Sequence, residues 1–517
     1  MATGGAVMQK RLNFRGWSEC VQRMIGGSGE AGPEQRAYSD AHPWSLDRPL
    51  LEFEAGDVWT IRDACAGTQI FGDTGSGKTT GSGQAIAKAM LRAGFGGLVL
   101  TVKSSETARW RRYMEEVGRR DDLVVFSPES DQRFNFLEYE RARAGRGGGL
   151  TLNIAQLFVT VMNAGSGKGV GTSDPFWDRA LMQLMNNAID AIRLGGASLS
   201  ISNLLSVIQS APQSAGEAES DDWKRESFLF DLLVNARETL ESTHDLQDLS
   251  VTTRYWLSEF ARSMDPDTRG NIVSTFTTLA DGFLRGTLRE MFCTEVTITP
   301  EATLDGRVIV IDLPSKQFME TGRLAQILWM ICWQRAVEAA GRGPESRPVF
   351  LWADEAQNFI TPGMADFVQT VRESKAACVF LTQARSNYLH ALGSQHVAGV
   401  ESFLGIVKTK IFHCNGDPET NEWAQRVISE DWRQQVNYGQ ADGQSAKKGL
   451  TTPPPNRSMN IGLHRMARVF ASEFGGLRCG GPPEYAIDAV LFQSGRCFAG
   501  GDGNVLRLTF DQDTSCG

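Results

Sequence analysis

Nearly every residue is aliphatic, aromatic or β-branched in a set of short runs at 68–71, 97–102, 123–126, 308–313, 349–353, 377–381 and 408–414, and each run ends where a polar residue or glycine takes over. Continuous apolar runs of this length suit strands buried on both faces, as in a parallel sheet covered by helices. Helical periodicity separates several of them. At 81–93, Ile86, Ala87, Met90 and Leu91 share one face before Gly94 and Gly96 end the turn. The alternation predicts an α/β fold with a mostly parallel central sheet.

From about 150 to 291 strand-like runs vanish and the 3.6-residue period takes over, most clearly at 176–193, where Trp177, Leu181, Leu184, Ala188 and Ile192 fall on one side. Further helical stretches are expected at 201–208, 223–240, 251–264 and 271–284, with Asp174-Pro175 and Ala211-Pro212 as breaks. The pattern divides the chain into an N-terminal extension (1–50), the first part of a nucleotide-binding domain (51–149), an inserted all-α domain (150–296) and the second part of the α/β domain (297–517). Two segments read as flexible, the glycine-rich 141–149 and a loop at 437–458 that holds a triple proline. The tail from 485 to 510 alternates enough to be a terminal strand pair at the sheet edge.

Composition narrows the class. With 517 residues, 41% of them hydrophobic, and 52 Lys+Arg against 61 Asp+Glu, the chain can bury a large core and is neither disordered nor collagen-like. The net charge of −9 makes any nucleic-acid surface a local one. Nine scattered cysteines, an odd number without metal-site spacing, read as reduced thiols in a cytosolic protein. No signal peptide is evident. The greasiest stretch, 324–340, is interrupted by Gln326, Gln334, Arg335 and Glu338 and is expected to be a core-facing helix rather than a membrane span.

Chemistry concentrates at the ends of the apolar runs. Thr68 leads into Gly72, Asp73, Thr74, Gly75, Ser76, Gly77, Lys78, Thr79 and Thr80, which is G-x-x-x-x-G-K-[ST] between a strand and a helix. Its glycines let backbone N–H groups wrap an oxyanion, Lys78 is placed to reach β- and γ-phosphates, and Thr79 to ligate Mg²⁺. The look-alike Gly165-Ser166-Gly167-Lys168 has Met162 and Gly169 at the positions that need glycine and Ser/Thr, and reads as a mobile loop. Asp354 and Glu355 end the run at 349–353, an arrangement that suits a Mg²⁺ anchor and a base that polarises the attacking water. Gln383, at the tip of the next run, suits a γ-phosphate sensor, and Arg372 lies on the helix before it. A basic cluster at Lys103, Arg109, Arg111, Arg112, Arg119 and Arg120, interleaved with Trp110 and Tyr113, is the best local candidate for a nucleic-acid backbone, against the plainer reading of a solvated helix face.

Taken in order, GDTGSGKTTGSG, LVLTVKSSETARWRR, RFNFLEY, DPFWDRA, LWADEAQ, VFLTQARSNY and KTKIFHCNGDPETNEWAQRV resemble the type IV coupling proteins of bacterial conjugation, the TraG/TraD group of DNA-pumping ATPases, over roughly residues 53–510. The resemblance implies a RecA-like P-loop NTPase interrupted by an all-α domain. It implies ATP and Mg²⁺ as cofactors, a homo-hexameric ring that moves single- or double-stranded DNA, and a relaxase–DNA complex and secretion-channel components as partners. On this resemblance Lys78, Thr79, Asp354, Glu355 and Gln383 fall on nucleotide positions and Arg372 on a trans-acting arginine finger. Coupling proteins usually begin with transmembrane helices and this chain shows none, so it resembles a soluble, cytoplasmic member whose contact with the inner membrane would need a partner. The competing readings are a nucleotide-switched recruitment scaffold and a related ring motor in DNA segregation, packaging or defence.

Overall fold

The structure, a computed structural model, describes residues 42–145, 147–165, 175–361, 363–393, 397–441 and 456–512. A short hairpin of β1 (Pro49–Glu52) and β2 (Val58–Thr60) precedes the main sheet. That sheet is built from β3 (Thr68–Phe71), β4 (Gly96–Leu100), β5 (Leu123–Phe126), β6 (Val308–Ile311), β7 (Val349–Ala353), β8 (Ala376–Thr382), β9 (Thr409–Phe412), β12 (Ala486–Gln493) and β13 (Val505–Asp511). Between β9 and β12, β10 (Glu430–Ala441) and β11 (Asn456–Ala467) form a separate two-stranded ribbon.

Strand order in the nine-stranded sheet is β13-β12-β9-β3-β8-β7-β4-β6-β5. From β9 to β5 all neighbours are parallel, while β12 and β13 close one edge as an antiparallel pair. Each apolar run read from the sequence is a strand here, and the tail supplies the terminal pair. Successive side chains enter opposite cores, as the two-residue period requires. Leu98, Leu100, Ile309, Ile311, Leu351 and Ala353 face one, and Val99, Val308, Val310, Phe350 and Trp352 the other.

Among the described residues the chain between β5 and β6 holds helices and no strand. Several start on a serine or aspartate whose side chain accepts the N–H three residues on, at Ser200, Ser214, Ser220, Ser227, Ser242 and Asp265. Ser227 also explains a difference from the periodicity. The expected helix at 223–240 is two, Asp221–Glu226 and Phe228–Thr239, because Ser227 takes an extended conformation to cap the second. These helices share a core with Phe126, Phe134 and Trp329, the last stacked on Phe134 at 4.1 Å between ring centroids. Of the loop expected at 437–458, both ends are ribbon strand and 442–455 lies outside the described residues, as do 1–41 and most of the Gly165–Lys168 look-alike.

The stretch 324–340 falls on the helix Ser315–Ala339, buried along 325–334, and no described helix is long and apolar enough to cross a membrane. Its polar interruptions have partners. Gln326 is fully buried, accepts the Thr101 N–H at 2.5 Å, and donates to the carbonyls of Thr101 and Leu313, each at 2.8 Å. One amide therefore ties the tip of β4 to the chain leaving β6, beside the edge where the strands end. Each buried main-chain group left without a partner costs about 1–3 kcal/mol. Gln326→Leu should accordingly lower the thermal unfolding midpoint by several degrees in scanning fluorimetry, whereas an unchanged midpoint would mean that these bonds add nothing to stability.

Candidate active site

The carboxyl ends of the parallel strands meet at one edge, where open α/β sheets place ligand crevices. β3 runs straight into the loop Gly72–Lys78, and a helical turn at Thr79–Gly83 continues as the helix Gln84–Arg92. The loop is held from below. The Asp73 N–H donates to the Cys414 carbonyl at 2.9 Å, and the Asp73 carboxylate accepts the Gly416 N–H at 2.7 Å. Space there excludes side chains: a Cβ on Gly72 would lie 2.4 Å from Ser76 Oγ, and one on Gly77, at φ +83°, would lie 2.5 Å from the Ile487 side chain. The N–H groups of Gly75, Gly77 and Lys78 have no acceptor among the described residues. Ser76 Oγ is buried without a partner. Loop and helix start thus form an anion cradle.

Two strands along, β7 ends in Asp354 and Glu355, both buried. Thr79 Oγ1 donates to Asp354 Oδ2 at 3.1 Å, and Lys78 Nζ lies 3.8 Å from Glu355 Oε1. On Glu355, Gln357 Nε2 donates to Oε2 at 3.0 Å and Gln383 Nε2 to Oε1 at 3.2 Å. Glu355 sits at φ +50°, ψ +51°, a left-handed conformation costly for a side-chain-bearing residue. The structure therefore brings Lys78, Thr79, Asp354, Glu355 and Gln383 within one hydrogen-bonded cluster.

The two carboxylates are driven apart in acidity. Burial pushes Asp354 up, reinforced by Glu355 and opposed by Lys78. Burial also pushes Glu355 up, but the bonds from Gln357 and Gln383 and the charge of Lys78 outweigh it and hold that carboxyl below its ordinary value. At neutral pH Glu355 is thus an ionised proton acceptor. No cluster of three or more His, Cys, Asp or Glu among the described residues could hold a metal. Thr79 and Asp354 fit a hard, oxygen-seeking cation that draws its other ligands from water and a bound anion.

Arg372 is not part of this cluster. It is exposed, on the turn Val371–Ser374 before β8, whereas Gln383 follows the far end of that strand. Seven residues of extended chain separate the two ends by roughly 23 Å. The basic cluster after β4 also resolves differently from an aromatic-lined nucleic-acid surface. Trp110 and Tyr113 are buried, and Arg119 is spent on the carbonyls of Leu91, Phe95 and Gly306 and on Asp122.

Several residues at the site escaped the sequence reading. Gln357 bridges Glu355 and Thr382, whose hydroxyl donates to its Oε1 at 2.8 Å. Asn415 donates to the Gln383 carbonyl at 2.8 Å. His413 lies under the loop, with Nε2 2.6 Å from Ser82 Oγ and Nδ1 3.1 Å from the Asp488 carbonyl. A carbonyl only accepts, so the proton is on Nδ1 and Nε2 accepts from Ser82, and burial pushes the imidazole down to about 3. Glu106 is buried, accepts the N–H groups of Val102 and Lys103 at 3.1 and 3.2 Å, and is pushed up to about 8 by burial and then by the negative Asp354. The rule that found Glu355, a polar residue directly after a buried run, would have found His413 and Asn415 had it been applied to β9.

No protein-family model matches the chain, and no curated protein matches it. Solved structures share its fold. The bacterial conjugative coupling protein TrwBdeltaN70 in an unbound form superposes with a TM-score of 0.57 at 14% identity, over 94% of this chain and 92% of that one. The plasmid coupling protein TrwB in complex with the non-hydrolysable ATP analogue ADPNP gives 0.55 at 13% identity, over 99% and 96%. TrwB in complex with ADP and Mg²⁺ gives 0.55 at 12%, over 99% and 97%. The chain thus has the RecA-like α/β fold of those proteins, with its mostly parallel nine-stranded sheet.

The raised Glu106 carboxyl has a consequence of definite sign. The folded chain holds this proton up to about pH 8, the unfolded chain loses it near 4.5, and so this group makes stability fall as pH rises between those values. Glu106→Gln keeps an acceptor for one of the two N–H groups, at a cost that does not vary with pH, and removes the titration. Its thermal midpoint, measured against the parent chain, should rise progressively across that window, and a pH-independent difference would show the carboxyl to be ionised throughout.

Proposed function

We propose that the chain is a Mg²⁺-dependent ATPase that works as a DNA-transfer motor of the conjugative coupling type, its nucleotide held by the Gly72–Thr80 loop and its catalytic group Glu355. One observation carries this reading. Glu355 is a buried carboxylate whose pKa is held below its ordinary value by Gln357, Lys78 and Gln383, at the mouth of the sheet and next to an anion cradle. A protein that only binds nucleotide has no use for a strained, ionised base there. Mg²⁺, when bound, would neutralise charge on the phosphate oxygens.

In this reading Thr79 and Asp354 would hold the ion. Lys78 leaves Glu355 for the β- and γ-phosphates. Glu355 takes the proton of the attacking water, and Gln383 fixes the orientation of its carboxylate and registers the presence of the γ-phosphate through the same amide. Arg372, far from its own loop, serves the site of a neighbouring copy in a ring, where it stabilises transferred charge. That requirement makes the homo-hexamer part of the proposal. The solved structures that share this fold, a conjugative coupling protein and a plasmid coupling protein with an ATP analogue or with ADP and Mg²⁺, support the class of reaction and the setting, a cytoplasmic motor working with a type IV secretion channel and its relaxase–DNA cargo.

Steady-state hydrolysis with and without DNA tests it. Lys78→Ala should abolish nucleotide binding, while Glu355→Gln should bind and turn over at least ~100-fold more slowly. Arg372→Ala alone should be inactive yet recover activity when mixed with Lys78→Ala, since mixed rings contain intact shared sites. Turnover that ignores DNA, protein concentration and mixing would reject the ring motor, and nucleotide binding without turnover would favour the recruitment scaffold.

A further inference from the structure

The platform beneath the loop Gly72–Lys78 carries a pair of thiols that the proposed reaction does not use. Cys414 leaves β9 between two neighbours. On the β3 side its carbonyl accepts the Asp73 N–H at 2.9 Å. On the β12 side its Sγ lies 3.7 Å from the Gly475 carbonyl and shares a hydrogen bond with the Cys479 thiol. The segment that holds Cys479 is fixed to β12. Cys479 bridges Ile487, and the Asp488 N–H donates to the Arg478 carbonyl at 2.9 Å. The Arg478 guanidinium donates to both oxygens of the Asp488 carboxylate, each at 2.8 Å. Exposure further singles the pair out. Four of the seven described cysteines, Cys65, Cys293, Cys332 and Cys378, are buried beyond the reach of a reagent, whereas Cys479 is exposed and Cys414 partly so.

This arrangement sets an order of reaction. Burial and then the neighbouring sulfur push the Cys414 thiol up to about 12, so at neutral pH it keeps its proton and the exposed Cys479 meets a reagent first. A low-molecular-weight disulfide is the oxidant. The Cys479 thiolate attacks one of its sulfurs and expels the other half as a thiolate. The Cys414 sulfur then loses its proton to water, attacks the Cys479 sulfur and expels the second half. The two protein thiols lose two electrons and two protons, and the reagent departs as two thiols. Joining the sulfurs brings them from hydrogen-bond separation to about 2 Å. Arg478 ties the Cys479 side to β12 by charge-assisted bonds, while the Cys414 main chain is tied to the loop by one neutral bond from Asp73, so the Cys414 side yields. It yields away from the loop, because β9 lies between β3 and β12. Asn415, next along the chain, donates to the Gln383 carbonyl and moves with it.

We propose that Cys414 and Cys479 form a dithiol site for low-molecular-weight disulfides, and that the resulting cross-link draws the platform from the loop Gly72–Lys78 and weakens its hold on nucleotide. The second half rests on that loop being the nucleotide site. The test treats the full chain with oxidised glutathione, maps disulfides by peptide mass spectrometry, and titrates the reduced and oxidised forms with a fluorescent ATP analogue and Mg²⁺. The Cys414–Cys479 cross-link should form within single molecules and revert with dithiothreitol. Affinity for the analogue should fall roughly tenfold on oxidation, the scale of one lost hydrogen bond. Cys479→Ser should bind the analogue as the reduced parent does and keep that affinity in oxidised glutathione. The proposal is overturned if the cross-link does not form, if it forms only between molecules, or if it leaves affinity unchanged. It is equally overturned if Cys479→Ser loses affinity in oxidised glutathione as the parent does. A reduced chain that does not bind the analogue overturns the nucleotide reading and with it the second half, while the cross-link still stands or falls on the mapping.

Discussion

Two carboxylates stand at the end of a strand whose five residues are all buried, and a charge in that position is costly unless it is bonded from several sides. Most of the site's architecture answers that constraint. Thr79 comes to Asp354 from the helix after β3, Lys78 and Gln383 come to one oxygen of Glu355 from the ends of β3 and β8, and Gln357 folds back to the other from the turn that follows. Because these donors come from three strand ends, their positions depend on the sheet register, which the alternation of side chains into two cores fixes. The two carboxylates then differ in chemistry, since burial and the charge of Glu355 raise Asp354, while the amides of Gln357 and Gln383 and the charge of Lys78 lower Glu355.

Much of this was legible in the sequence for one physical reason. A strand buried on both faces has no polar positions, so the first polar residue after it is conspicuous, and that is how Asp354, Glu355 and Gln383 stand out. The glycine loop is legible because backbone approach and positive φ leave a residue-type signature that few other structures need. The inserted helices are legible from their period, with Ser227 showing where a cap overrides it.

What stayed hidden depends on pairing across long stretches of chain. Glu106 reads as one acid among many on a charged helix, and only the fold sets it near Asp354, which lies 248 positions on. Trp110 and Tyr113 read as aromatics among arginines, yet that helix buries both, Trp110 against Phe350 and Trp352 and Tyr113 against Trp110, and leaves Arg111 and Arg120 exposed. The β10–β11 ribbon was masked by its own polar and glycine-rich tip, which carries the loop signal, while the alternation of Met459, Ile461 and Leu463 is too brief to outweigh it.

Strand β8 links the site to whatever lies beyond the subunit. Its carboxyl end leads to Gln383, bonded to the ionised Glu355, and its amino end is preceded by the exposed Arg372. β8 is fully buried and held on both sides by parallel neighbours, β3 and β7, so it shifts as a rigid rod or not at all. In the motor reading, a change felt by Gln383 when the γ-phosphate leaves reaches Arg372 through β8 and then through the left-handed Lys375 and the turn Val371–Ser374. A sensor and a finger at opposite ends of one buried strand would make each site's state a mechanical input to the next, which is what sequential firing around a ring requires.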